Sequence, residues 1–309
     1  MNFVRLSFTA LVSILLCTAP VFAQSKIRLG AVRIFNNDRI GDGQDRWRTG
    51  AYAGSIVRGE AWTGRRPETI GALMEYRLRT EIIAPADLTN PVVAPDRLYA
   101  GAISLGAISH FRSGKTDISL GVDMVITGPQ TRLGAFQSWA HNVLGITDPK
   151  VLGSQIGNGF HPTASLEIAR AFSLPGSGAG TRFRPFFEAQ LGIENFVRVG
   201  GDVTIGKLGA NDLLVRDVVT GQRVAAVRGG NSRGASFVMG GDVARVFSSG
   251  YLPTSLGYAP VRTRVRLRSG VYYEMENSSV FYGLTWLGRE FSAQPEGQLL
   301  GSLSVRLRF

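Results

Sequence analysis

The chain has 309 residues, one cysteine and a formal net charge of +11, with glycine at 39 positions and charged residues at only 18%. One cysteine excludes disulfide frameworks and thiolate metal centres, and no apolar run of about 20 residues follows the N-terminal segment, which excludes a helical membrane span. The positive balance comes without a basic helix or an aromatic stacking platform. It therefore points to anionic lipid phosphates or a cationic lumen, with no nucleic acid as partner.

The N-terminus reads as a secretory signal. A basic start, Met1 to Arg5, precedes an apolar stretch from Leu6 to Pro20 and the small-residue site Val21-Phe22-Ala23. Cleavage after Ala23 makes residues 1–23 the signal peptide and residues 24–309 a single exported domain. Leu16 is too bulky for lipoprotein processing at Cys17, so the only cysteine leaves with the signal.

Beyond Gln24 the pattern has period two. Met74, Tyr76, Leu78, Thr80 and Ile82 alternate with Glu75, Arg77, Arg79 and Glu81. Ile118 to Ile126 alternates in the same way, as does Val261 to Leu267 with Arg262, Arg264, Arg266 and Arg268. Charges at every second position are intolerable against lipid, so they point inward. Further strands are expected near 27–36, 49–58, 98–111, 164–173, 183–193, 195–207, 235–247, 279–290 and 299–309. The last ends on Phe309, as a closing barrel strand does. The fold expected is all-β: a transmembrane antiparallel barrel of about 12 strands in the bacterial outer membrane, monomeric and surrounded by outer-membrane lipids. The stretch 208–234 is left as a loop or an extra strand pairing, and the inward arginines read first as ion pairs filling a narrow lumen.

One segment breaks this rhythm. From Ala135 to Leu144 the apolar residues Phe136, Trp139, Ala140, Val143 and Leu144 recur at helical spacing, and Gly145 suits a helix C-terminus. A short helix near the extracellular rim follows, with Gln137 and His141 stacked one turn apart along one edge. A second polar cluster, Asn36-Asn37-Asp38 to Asp45-Arg46-Trp47-Arg48-Thr49, ends the first strand and opens the second. Its hard oxygen donors suit calcium, although such loops are more often plain turns. His110, at the end of strand 4, reads as a rim residue. His161 follows the helix, and three histidines so scattered form no zinc motif.

Taken in order, Asn37-Asp38, Asp45-Arg46-x-x-Thr49, Gly128-Pro129, Gln137-x-x-x-His141 and terminal Phe309 resemble the lipid A 3′-O-deacylase family of outer-membrane enzymes. The resemblance implies a calcium-dependent ester hydrolase acting on lipid A, the anchor of lipopolysaccharide. It makes His141 the general base and places Asn37 and Asp38 at the calcium and oxyanion end. Thr49 and Gln137 line the site, Arg46 and Arg48 are substrate-binding candidates, and Asp148 joins Asn37 and Asp38 as a metal ligand. The chain departs from the family pattern at three places. Arg48 replaces an aromatic before Thr49, no lysine occurs in Pro85 to Asn90, and Asp148 stands one position out of register. No Gly-x-Ser-x-Gly elbow is present. The alternatives are a transport or structural barrel without catalysis and a phospholipase-like esterase.

Overall fold

The computed structural model describes residues 26–90, 96–174, 180–230 and 233–307, so the expected signal segment and Phe309 lie outside the described residues. Twelve antiparallel strands close into a barrel: β1 (Ile27–Asn37), β2 (Trp47–Gly59), β3 (Met74–Ala84), β4 (Ala100–Ser113), β5 (Thr116–Thr127), β6 (Gly159–Ala169), β8 (Arg182–Leu191), β9 (Glu194–Ile205), β12 (Gly234–Ser249), β13 (Thr263–Glu274), β14 (Ser278–Leu287) and β15 (Gln298–Leu307). The two-residue β7 (Phe172–Ser173) pairs with β8 and continues β6 along it. Closure sets β1 against β15, with Asn36 opposite Ser302 and Asn37 opposite Gly301.

The alternation explains the wall. On β3, Glu75 and Glu81 are buried in the lumen while Tyr76 and Leu78 stand exposed outside, and Leu105, Val122, Val199, Leu267 and Val305 continue this apolar exterior. β6 begins at Gly159, earlier than the alternation alone indicates, because Gly159-Phe160-His161-Pro162 carries no clear period-two signal; Pro162 nonetheless keeps register with Met124.

The segment between β9 and β12 turns back into the lumen as a hairpin, β10 (Leu213–Arg216) and β11 (Arg223–Val227). Its apolar residues pack on inward-facing Val32, Ile34, Ala53, Val57, Tyr272 and Phe281, which explains why those wall positions are not polar. The approach is close: a Cβ at Gly30 would lie 2.1 Å from the Ala226 carbonyl oxygen, so only glycine fits. The rest of the lumen is filled by ion pairs, among them Arg266–Asp242 at 2.9 Å, Arg184–Glu167 at 2.7 Å and Arg216–Glu167 at 2.6 Å. Two small cavities, about 50 and 70 Å³, remain between them.

At one rim, residues 129–131 form a 3₁₀ turn and α1 (Leu133–Leu144) follows, two residues longer at its start than the apolar spacing indicates. Gly145 ends it at φ 68°, and the Ile146 N–H returns to the His141 carbonyl at 2.8 Å, closing the last turn. The helix buries Gln137 and His141 and leaves Phe136, Trp139, Val143 and Leu144 exposed, so its amphipathicity is inverted relative to a soluble protein.

Candidate functional site

The buried edge of α1 meets the loop that joins β1 to β2. His141 Nε2 lies 3.0 Å from Asp45 Oδ2. Its Nδ1 lies 2.7 Å from the Thr147 carbonyl oxygen. A carbonyl only accepts, so Nδ1 carries a proton; an ionised Asp45 carboxylate also only accepts, so Nε2 donates to it here and becomes a base only when released from Asp45. Thr49 Oγ continues the line, 2.5 Å from Asp45 Oδ1 and 3.1 Å from Asp38 Oδ1. One hydroxyl proton cannot be given to both oxygens, so Thr49 donates to Asp45 and its contact with Asp38 needs either a proton on Asp38 or a cation.

Asp38 is fully buried and accepts the Arg46 backbone N–H at 2.7 Å. Burial pushes its carboxyl up to about 8, with neighbouring Asp45 and Asp42 adding to the effect and the Arg46 and Thr49 hydrogen bonds opposing it. Asn37 staples the strand ends: its Nδ2 donates to the Thr49 carbonyl at 2.7 Å and its Oδ1 accepts from the Arg39 N–H at 2.8 Å. Gln137 is buried one turn before His141, and its Oε1 has no hydrogen-bond partner. Asn37, Asp38, Thr49, Gln137 and His141, five positions read from the sequence, therefore gather at this rim.

The remaining candidates fall elsewhere. Between Trp47 and Gly50 the register of β2 against β3 shifts, and Trp47 sits at φ 52° with its ring buried against Phe291 and Leu252. The shift turns Arg48 into the lumen. There Glu290 at 2.8 Å, Glu194 at 3.6 Å and Glu81 engage its guanidinium. Arg46 stays at the rim, stacked 4.2 Å over Trp47 and paired with Glu296 at 3.0 Å. Asp148 is exposed and makes no hydrogen bond or ion pair with the group. His110 is not a rim residue. It is buried toward the opposite end of the lumen, with Nε2 2.8 Å from Glu75 and Nδ1 3.0 Å from Ser119, because the inward column of β4 carries it there. His161 contacts Thr127 at 3.2 Å rather than the His141 group.

Two participants have no assigned role in the sequence reading. Asp45 had its signal in the spacing Asp45-Arg46-x-x-Thr49. Gln298 had none: it opens β15, and only barrel closure brings its Nε2 within 2.6 Å of the Arg46 carbonyl, beside Asp38. Among the described residues no three His, Cys, Asp or Glu side chains converge as a metal cluster. The oxygen donors at hand are the Asp38 and Asp45 carboxylates, the Thr49 hydroxyl and the Asn37 amide, a set whose chemistry suits a hard cation.

Comparison with known proteins agrees with this architecture. LpxR from Salmonella typhimurium superposes with a TM-score of 0.75 at 15% identity, covering 91% of this chain and 100% of that one. The NanC porin covers 91% of this chain and 100% of its own at 8% identity, with a TM-score of 0.40. No curated protein sequence matches. The model of the family described as outer membrane protein LpxR matches residues 8–309, nearly the whole chain. The protein thus belongs to the LpxR family of outer-membrane lipid A deacylases and resides in the outer membrane.

Proposed function

We propose that this protein is a calcium-dependent ester hydrolase that removes the 3′-O-linked acyl chain of lipid A, with residues 1–23 serving as its export signal. The observation that carries the reading is the continuous line His141–Asp45–Thr49–Asp38 at the rim. Thr147 holds the Nδ1 proton of His141, so Nε2, once its contact with Asp45 gives way to water, takes a proton from that water as it attacks the ester carbonyl. The Asp45 carboxylate stands beside the imidazolium that results. The imidazolium then gives its proton to the departing sugar oxygen, releasing a free fatty acid. Gln137, with its unpartnered buried Oε1, has the capacity to accept a hydrogen bond from the attacking water.

Asp38, Asp45, Thr49 and Asn37 would hold the calcium ion. The fit rests on the buried Asp38 carboxyl, whose upward shift marks a site short of positive charge. Bound calcium supplies positive charge to stabilise the oxyanion. Asp148 would join from outside the present hydrogen-bonded group. Arg46, half-buried at the rim, is the candidate contact for a lipid A phosphate. A transport role finds little support, since hairpin and ion pairs occupy the lumen.

Mass spectrometry of lipid A incubated with the reconstituted barrel tests the reading. The expected result is loss of one ester-linked acyl group in calcium and none in chelator. His141→Ala should slow the reaction by about 10²–10⁴-fold with the barrel still folded. Full activity in that variant would sink the mechanism.

A further inference from the structure

Among the described residues the exposed face of α1 has no partner. Phe136 is 55% exposed, Trp139 60%, Val143 64% and Leu144 70%, and the Phe136 and Trp139 rings lie 5.7 Å apart as one apolar plate. A helix that burdens water with four of its five large apolar side chains while burying a glutamine and a histidine requires an apolar medium on its outer side.

The geometry identifies that medium. A Cβ at Gly101 would meet Thr131 Oγ1 at 2.7 Å and Leu133 at 3.1 Å, so the start of the helix rests against Gly101. Gly101 shares its side of β4 with Ile103 and Leu105, and Leu105 is 56% exposed opposite Met124 of β5. The helix therefore docks on the exterior of the wall, directly above the lipid-facing column. Phe160, 66% exposed at the start of β6, continues the same apolar surface. The face is an extension of the belt that already meets lipid.

We infer that α1 is an interfacial helix whose outward face lies among the acyl chains of the outer leaflet. The inference rests on the barrel's residence in the outer membrane and not on ester hydrolysis. Its consequence for the site is positional. The same helix sinks Phe136, Trp139, Val143 and Leu144 into lipid and turns His141 toward Asp45, fixing the imidazole at the depth where headgroup and acyl chain join.

The test uses nitroxide labels in phosphatidylcholine–phosphatidylglycerol vesicles, since an introduced thiol is the only one beyond the signal segment. A label at Val143→Cys should be relaxed by oxygen over a water-soluble nickel chelate, with a ratio several-fold above that of Asn142→Cys and near that of Leu105→Cys. Equal ratios at positions 143 and 142 would overturn the inference, and so would dipolar broadening at 143, which marks a second copy on this face. Where a label perturbs the helix, native fluorescence replaces it. The emission lost in Trp139→Phe should be the part quenched by acyl-chain-brominated lipid, and an unquenched Trp139 component would also overturn the inference. An inactive but lipid-embedded helix would separate this result from failure of the hydrolase reading.

Discussion

Two arginines separated by a single residue, Arg46 and Arg48, have opposite duties. Arg48 sits in the lumen among Glu290, Glu194 and Glu81, and its loss leaves buried carboxylates without their countercharge. Arg48→Ala should therefore lower stability by about 3–5 kcal/mol, seen as a lower denaturation midpoint. Arg46 pairs with Glu296 at the solvated rim, so Arg46→Ala should cost under about 1 kcal/mol and instead raise KM for phosphorylated lipid A. An unchanged KM would remove Arg46 from the binding surface. Asp38 gives the pH dependence. Its carboxyl is pushed from 3.8 up to about 8 by burial, so the native state holds a proton that the unfolded chain releases near pH 4. In chelator, stability from this group is present below about pH 4 and is lost as the pH rises to about 8. Melting midpoints between pH 5 and 8 should fall in the wild type and flatten in Asp38→Asn, with calcium restoring the wild type most at the high end. A wild type flat across that range would contradict the buried, proton-holding Asp38.

At the level of elements, α1 is the part that makes a site out of a rim. Its last turn closes through Gly145 at φ 68°, and the bond from the Ile146 N–H to the His141 carbonyl anchors the turn that carries His141. Gly145→Val forces a branched side chain into the left-handed region, at a cost of about 1–2 kcal/mol local to the helix end. The expected signature is a drop in kcat with little change in the barrel's melting, because strand pairing does not depend on that turn. Equal losses of both would mean that α1 and the wall fold as one unit. The shifted register of β2 is the second local device. It separates consecutive residues, sending Arg48 to the lumen and Thr49 to the site.

Across the whole molecule, the hairpin β10–β11 decides what kind of barrel this is. It reaches from the end where β1 begins and β15 ends toward the rim that carries the His141 group. There Asp217 accepts from Asn36 Nδ2 at 3.1 Å, next to Asn37 and Asp38. Arg266 donates to the Val218 and Val219 carbonyls at 2.8 and 3.1 Å, tying the hairpin tip to the wall. The wild-type barrel should thus show negligible conductance in planar bilayers. Replacing residues 210–228 with a short glycine–serine linker should produce stable ion-conducting channels. A variant that stays closed would show that the ion pairs seal the lumen without the hairpin.

The strands, their inward charges, the barrel class and the short helix were legible in the sequence because each follows from periodicity along a single segment. Tyr76 and Leu78 against Glu75 and Arg77 state which face is wet before any partner strand is known. Gly145 likewise announces a helix end by its backbone freedom alone. Which way the helix faces was not legible. Its apolar stripe looks like a core-facing surface, and only its docking on the outer wall at Gly101 shows that lipid takes the place of the core. Nor was the fate of Arg48, which depends on a register shift, or the arrival of Gln298, which depends on closure over 250 residues from Arg48 to the last strand. Periodicity is a local property written residue by residue. Register, closure and the filling of the lumen are set by the best simultaneous pairing of all twelve strands, and that choice exists only in three dimensions.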